Sequence, residues 1–129
     1  MLTTIGSVLA GLIGGGIFLI GASYFWAPQS ASGFGIPRTP VADRTFQSWL
    51  RVKGVRDIAS GLFVAVLLAN GSAHLLGWFM LAATFIPVGD ALIVLRSKGP
   101  KAAAYGIHGA TALVMAVIAS RWWPAGSSK

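Results

Sequence analysis

Four ionisable residues occur within or beside apolar stretches of this sequence, where their side chains could carry out acid–base chemistry. Arg56 and Asp57 lie at the start of one apolar run, Asp90 lies near the end of the next, and His108 lies inside the last. A guanidinium binds an anionic or carbonyl oxygen, whereas a carboxylate and an imidazole exchange protons. Ionisable side chains inside a membrane cost several kcal/mol unless they have partners, so these four predict a polar layer with a function.

The composition places the chain among membrane proteins. Only 10% of its 129 residues are charged, against about 25% in a soluble domain, and the mean hydropathy is +0.74. The 10 Lys and Arg residues outnumber the three acidic residues, but they fall in the loops between apolar runs. This distribution is typical of anchors beside lipid headgroups and argues against a nucleic-acid partner. Because the chain lacks cysteine, disulfides and thiolate chemistry are excluded.

The apolar runs predict four transmembrane helices, at about residues 2–26, 52–70, 75–96 and 101–122. A helix needs about 20 residues to cross a bilayer, so the second span has to begin near Val52 and include Arg56 and Asp57. The first run is interpreted as a retained helix rather than a cleaved signal peptide. We therefore expect an all-α fold, a membrane-embedded four-helix bundle that forms a single domain over residues 1–129.

The connections between these helices differ in length. Two tight turns, at residues 70–74 and 96–100, predict helical hairpins. The first connection, residues 27–48, is a long loop that contains three prolines. The segment RTFQSWLRVK, which follows Asp43, is expected to be an amphipathic lead-in capped by that residue. It is expected to lie at the membrane interface with Phe46, Trp49 and Leu50 dipping inward. An ordinary loop fits this segment equally well.

The basic residues predict the orientation in the membrane. Eight of the 10 Lys and Arg residues lie in or beside the loops at 27–51 and 96–101. The positive-inside rule places these loops in the cytoplasm and both termini outside it. Trp122 and Trp123 are then expected at the opposite interface, as an aromatic belt.

The four ionisable residues are expected at similar depths below the cytoplasmic surface. Counted from the basic residues at the helix ends, Arg56, Asp90 and His108 lie about 4.5, 9 and 10 Å inside, at about 1.5 Å per residue. Asp57 shares a stripe with Gly54, so it faces a closely packed neighbouring helix. With a neutral histidine the layer carries a net charge of about −1, which requires a mobile proton or a bound cation.

These considerations predict that Asp90 and His108 are catalytic and exchange a proton. The predicted substrate-binding residues are Arg56, Asp57, Tyr105 and Trp49; Tyr105 is expected to stack one turn from His108. The alternative is a structural ion pair between Arg56 and an aspartate, with a histidine that only donates a hydrogen bond. No metal and no cofactor is expected, because no helix carries paired ligands and Arg56 would repel a cation.

Several short segments of the chain carry a family resemblance. They are FGIP (34–37), RVKGVRDIASGL (51–62), GDALIV (89–94) and AAAYGIHGA (102–110). These segments resemble a family of small four-span membrane proteins catalogued as a domain of unknown function and loosely akin to DoxX-like proteins. The most specific part is a Gly-x-Arg-Asp element, here Gly54, Arg56 and Asp57, followed by Asp90 and His108. The resemblance implies a compact four-helix bundle and implies no particular reaction.

Three functions fit these features, and whether the protein is an enzyme is left open. The leading hypothesis is a pocket in the cytoplasmic leaflet, roofed by residues 27–48, that binds a lipophilic or amphiphilic small molecule for isomerase- or cyclase-like chemistry. The second is a proton-coupled transporter or channel-like dimer, because small residues such as Gly6, Ala10 and Gly14 permit close helix association. The third is a structural or assembly subunit of a membrane complex. The expected partners are the lipid bilayer and the small molecule, and a homodimer is left open.

Overall fold

A computed structural model describes residues 2–122 of the chain. Over these residues the fold is all-helical and contains no strand. The five α-helices are α1 (Leu2–Ser23), α2 (Arg44–Ala69), α3 (Ala73–Ala83), α4 (Phe85–Arg96) and α5 (Ala110–Arg121). A 3-10 helix (Pro28–Phe34) lies between α1 and α2, and a π-helix (Ala102–Gly109) leads directly into α5.

Within residues 2–122, three segments are long and apolar enough to cross a membrane: Thr4–Ser23, Ala73–Arg96 and Ala102–Arg121. The second combines α3 with α4, and the third combines the π-helix with α5. The protein is therefore an integral membrane protein, as the composition predicts. Helix α2 is long enough but not apolar enough to count as a span, because its first half is charged. The charged residues there are Arg44, Arg51, Lys53, Arg56 and Asp57.

Helix α2 begins earlier than the hydropathy pattern predicts. The lead-in segment is its first turns, and Asp43 caps them, because its Oδ1 atom accepts a hydrogen bond of 2.6 Å from the backbone N–H of Phe46. The predicted cap is confirmed, and the alternative of an ordinary loop is wrong. Leu50 points inward and is buried, whereas the Trp49 side chain lies on the surface, with 69% of the residue exposed. The helix turns Trp49 about 100° away from Leu50, and the dipping of Trp49 into the membrane interface stays a prediction.

Helices α1 and α2 pack against each other, antiparallel, through glycine. A Cβ atom on Gly61 would lie 2.5 Å from the carbonyl oxygen of Gly14, and one on Gly54 would lie 2.6 Å from that of Gly21. The two backbones therefore touch at points about two turns apart along each helix. Asp57 faces the contact between Gly54 and Gly21, because a Cβ atom on Gly21 would lie 2.7 Å from the Cβ atom of Asp57. This confirms the predicted orientation of Asp57.

Helices α3 and α4 form one interrupted helix. The side-chain hydroxyl of Thr84 donates a 2.8 Å hydrogen bond to the carbonyl oxygen of Met80 at the interruption. Pro87 follows three residues later and lacks the N–H that would bond to the carbonyl of Ala83. The interruption at Thr84 lies six residues before Asp90, and Pro87 lies about one turn before it.

The Trp122 side chain packs between helices and does not face outward. Only 9% of the residue is exposed. A Cβ on Gly6 of α1 would lie 2.8 Å from its Cζ2 atom, and one on Gly77 of α3 would lie 3.0 Å from its Cβ. The predicted aromatic belt is wrong for Trp122, because these two glycines leave space between helices that its ring fills. Trp123 lies outside the described residues.

The loop after α1 docks against the loop after α4. Gly35, which follows the 3-10 helix, has φ +103, and a Cβ there would lie 2.7 Å from that of Ala103. Glycine is the residue that tolerates both this backbone conformation and so close an approach. Phe34 packs against buried Val94 near the end of α4. The two basic loops therefore share one end of the molecule.

Candidate functional site

Polar and aromatic side chains converge at the end of the molecule that carries the basic loops. We call this group the polar cluster; its members are Tyr24, Phe34, Lys53, Asp57, Asp90 and His108. They come from five different parts of the chain: the end of α1, the 3-10 helix, α2, α4 and the π-helix. The docking of the loop on α4 and the π-helix is what brings them together.

The central cation of the polar cluster is Lys53. Its ammonium group forms a salt bridge with Oδ2 of Asp57, one helical turn further along α2. The same nitrogen lies 5.4 Å from the ring centre of Tyr24 and 5.5 Å from that of Phe34, within the range of cation–π attraction. The Lys53 side chain is 39% exposed, and that of Asp57 is 18% exposed. Lys53 therefore connects the interior of the polar cluster with its surface.

His108 of the π-helix binds the loop between α1 and α2 through Phe34. The residue is buried, and its Nε2 atom lies 2.9 Å from the carbonyl oxygen of Phe34. Because a carbonyl oxygen only accepts hydrogen bonds, Nε2 carries the proton and donates it. The imidazole also packs on the ring of Phe34, with 4.5 Å between ring centres.

The other nitrogen of the imidazole faces Asp90. Nδ1 of His108 lies 3.9 Å from Oδ2 of Asp90, which is too long for a hydrogen bond. With the proton on Nε2, a neutral ring presents a lone pair toward the carboxylate, and two acceptors that face each other repel. One additional proton, on the carboxyl or on the ring, removes this repulsion. The pair therefore places a carboxylate oxygen opposite an unprotonated ring nitrogen.

The charges of the polar cluster do not balance. Lys53 contributes one positive charge against two aspartates, so a neutral His108 leaves the cluster at −1. The Asp90 carboxylate interacts electrostatically with Lys53, His108 and Asp57. Burial, together with the carboxylates of Asp57 and Asp90, raises the pKa of Tyr24 above its ordinary value despite the neighbouring Lys53. The phenol stays neutral, and the excess charge remains on the aspartates.

Arg56 does not belong to the polar cluster. It is exposed, and within residues 2–122 the structure contains no ion pair between Arg56 and an aspartate. The predicted ion pair is wrong because Arg56 is turned about 100° from Asp57, whereas Lys53 precedes Asp57 by one turn on the same face. The four-residue spacing of Lys53 and Asp57 is the signal that could have identified this pair in the sequence.

Tyr105 and His108 do not share a face of their helix. Tyr105 is 61% exposed, whereas His108 is 7% exposed. The turns of a π-helix are wider than those of an α-helix, so residues three apart no longer stack. The expected stacking is therefore wrong, and a role for Tyr105 in substrate binding stays a prediction.

An apolar cleft of about 330 Å³ opens beside the polar cluster. The 27–43 loop and the first turns of α2 form most of its wall, and Ile93 of α4 completes it. Tyr24, Phe34 and Lys53 belong to both the cleft and the polar cluster, and Trp49 also lines the cleft. Asp90 and His108 lie outside the lining. Phe34 packs on His108 and also lines the cleft, so its ring lies between the two.

No group of His, Cys, Asp or Glu side chains between residues 2 and 122 is arranged to hold a metal ion. The arrangement instead consists of a buried histidine that faces a carboxylate, with an apolar cleft beside them. The residues that sequence reasoning missed are Tyr24, Phe34 and Lys53. For Phe34 the functional atom is a backbone oxygen, which no side-chain pattern reveals.

Comparison with known proteins identifies the family of the chain. The profile of a family described as a domain of unknown function (DUF4267) matches residues 14–121. The matched region contains every residue of the polar cluster and of the cleft. No curated protein and no solved structure matches the chain. Since the profile covers most of the sequence, the chain belongs to the DUF4267 family of domains of unknown function.

Proposed function

We propose that this membrane protein binds a single-chain apolar or amphiphilic small molecule in the cleft between the 27–43 loop and α2. The observation that carries this proposal is the cleft itself, an apolar cavity with Lys53 in its wall. Binding sites for small molecules typically have volumes of about 300–1,000 Å³, apolar walls and a few polar groups. The cleft has all three features.

In the same proposal, Asp90 and His108 exchange a proton that accompanies ligand binding. The support is the lone pair of Nδ1 facing a carboxylate oxygen at 3.9 Å. Lys53 couples ligand binding to the protonation of the Asp90–His108 pair, because it lines the cleft and interacts electrostatically with Asp90. Isomerase- or cyclase-like chemistry on the ligand would additionally require the ring of Phe34 to turn aside and admit the ligand to the pair.

The proposed arrangement in the membrane is a bundle of four spans, with α2 as the fourth and with both termini outside the cytoplasm. Helix α2 is 26 residues long, more than the about 20 that a span requires. It also packs along α1, which is itself a candidate span. Its charged first half would then lie at the cytoplasmic surface, where the basic loops meet.

Thermal unfolding in the presence of single-chain alcohols tests ligand binding in the cleft. Ile93 lines the cleft and is 51% exposed, so Ile93→Trp should fill the space without disturbing the core. Ile107, which is 53% exposed and lies outside the cleft, provides the matched control Ile107→Trp. The parent and the control should gain stability as decanol is added, and Ile93→Trp should gain none. Equal gains in all three proteins would refute binding in the cleft.

Proton-coupled transport is the second candidate, and the Asp90–His108 pair favours it. A site that cannot be neutral without a mobile proton is suited to coupling. Under this alternative, a pH gradient across proteoliposomes should drive uptake of the ligand, and Asp90→Asn should abolish that uptake. Uptake at the same rate with and without the pH gradient would exclude proton-coupled transport.

A further inference from the structure

The charges around the cleft are unbalanced. Lys53 and Arg38 line it, and no acidic residue of the described chain does. Asp57 balances Lys53 from the side of the polar cluster. Arg38 is exposed and forms no ion pair within residues 2–122. The charged side chains of the cleft wall within residues 2–122 are therefore both cationic, although Asp57 and Asp90 lie behind Lys53.

The backbone holds Arg38 in an uncommon conformation at the cleft wall. Its φ is +56, a left-handed value that few residues other than glycine adopt. The turn around it is fixed by Pro37 and Pro40 and by the hydroxyl of Thr39, which donates a 2.6 Å hydrogen bond to the carbonyl of Ile36. Backbone conformations of this kind cluster at sites that hold ligands.

We propose that the ligand of the cleft is an anionic amphiphile with a single carboxylate, a molecule of the fatty-acid class. Its carboxylate is held by Lys53 and attracted by Arg38, and its chain lies against the apolar wall formed by Phe46 and Trp49. A carboxylate adds one negative charge near Asp57 and Asp90, whereas a phosphate monoester would add about two, and a cationic amphiphile would be repelled by Lys53 and Arg38. This inference rests on the proposed function, because it specifies the class of molecule that the cleft accepts.

Fluorescence quenching of Trp49 tests the headgroup preference. The parent protein in lipid nanodiscs is titrated with ω-bromodecanoate and with ω-bromodecanol, at a pH well above the carboxyl pKa. A bromine atom quenches tryptophan only at short range, so the saturable quenching that disappears in Trp49→Phe reports binding in the cleft. We expect the acid to bind on the order of tenfold more tightly than the alcohol, as a charge-assisted hydrogen bond allows.

The charge requirement is tested by variants on one helix. Lys53→Gln should reduce the preference for the acid to about one, and Lys53→Arg should retain it. Arg51→Gln removes a positive charge from an exposed position of α2 that does not line the cleft, and it should leave the preference unchanged. If Lys53→Gln does not fold, Arg38→Gln, at an exposed loop position, should weaken the preference instead.

The possible outcomes separate this inference from the function on which it rests. Equal affinities for acid and alcohol in the parent would overturn the anionic preference and leave the cleft as a site for neutral molecules. No saturable quenching by either compound would overturn binding in the cleft itself. A preference for the acid that survives both Lys53→Gln and Arg38→Gln would show that other cations select the headgroup.

Discussion

His108 contacts Asp90 and Phe34 with opposite sides of one ring: Nδ1 lies 3.9 Å from Oδ2 of Asp90, and Nε2 lies 2.9 Å from the carbonyl oxygen of Phe34. The bond to Phe34 fixes the proton on Nε2, so the carboxylate of Asp90 faces an unprotonated nitrogen. The loop that forms the cleft wall and the carboxylate of Asp90 are therefore connected through a single side chain.

Asp90→Asn should separate the proton-binding role of Asp90 from a structural one. The amide keeps the shape of the side chain and can donate to Nδ1 of His108, while Lys53 keeps Asp57 as its partner. We expect the free energy of unfolding to change by less than about 1 kcal/mol. Binding of decanesulfonate, which stays ionised, should strengthen in the parent as the pH falls and the pair takes up a proton. The variant should lose this pH dependence. A loss of stability as large as that of Lys53→Ala would show that Asp90 is a structural residue.

Lys53→Ala and Arg56→Ala should have different effects, although the two residues are only three positions apart. Removal of Lys53 leaves the largely buried carboxylate of Asp57 without its partner, at a cost of about 1–2 kcal/mol after allowance for the partial exposure of the pair. Removal of Arg56, which is exposed, should cost within about 0.5 kcal/mol. Unfolding in mixed micelles of increasing denaturing detergent measures both. Equal losses would indicate that Arg56 has a partner in the membrane.

His108→Ala should loosen the loop that covers the cleft. The variant leaves the carbonyl of Phe34 without its donor, which costs about 1–3 kcal/mol, so cleavage by trypsin after Arg38 should be accelerated about tenfold. His74→Ala, at the opposite end of the molecule, is the control and should leave the rate unchanged. If both variants are cleaved at the rate of the parent, the bond between His108 and the loop does not hold the loop closed.

Gly61→Ala should weaken the contact between α1 and α2. The added Cβ would lie 2.5 Å from the carbonyl oxygen of Gly14 and 2.8 Å from Cβ of Phe18, so the helices must separate, at about 1–3 kcal/mol. Gly16→Ala introduces the same methyl group at a position with no atom within 4 Å, and it should be neutral or slightly stabilising. Thermal unfolding of the two variants compares the positions directly. Equal stabilities would mean that the close approach of α1 and α2 is not required.

Both ends of the chain should be found on the side opposite the cytoplasm. Eight basic residues lie in or beside the two loops at one end of the molecule, whereas the rest of the chain has only Arg121 and Lys129. The positive-inside rule therefore predicts that the two loops are cytoplasmic and that both termini lie on the other side. Epitope tags after Lys129 and before Met1 should be protected from protease added to inverted membrane vesicles. Digestion of either tag there would refute the topology.

The sequence alone was sufficient to predict a helical membrane protein, its family, and the approach of Asp90 to His108. Apolar runs and the spacing of basic residues predict which segments enter the membrane and how deep each polar residue lies. The regular turn of an α-helix was also enough to place Asp57 on the face that packs against α1. Each of these properties belongs to a single segment, so the pattern of residues within that segment is enough to predict it.

Only the tertiary structure decided which residues meet across different elements. Lys53 replaced Arg56 as the partner of Asp57 because one face of α2 packs on α1 and the other remains exposed. The widened π-helix turned His108 inward without Tyr105, and the docked loop supplied a backbone oxygen of Phe34 as its acceptor. The cleft likewise exists only because the loop folds over α2. Contacts between distant segments depend on how loops and helices pack in three dimensions, which the period of any one helix does not determine.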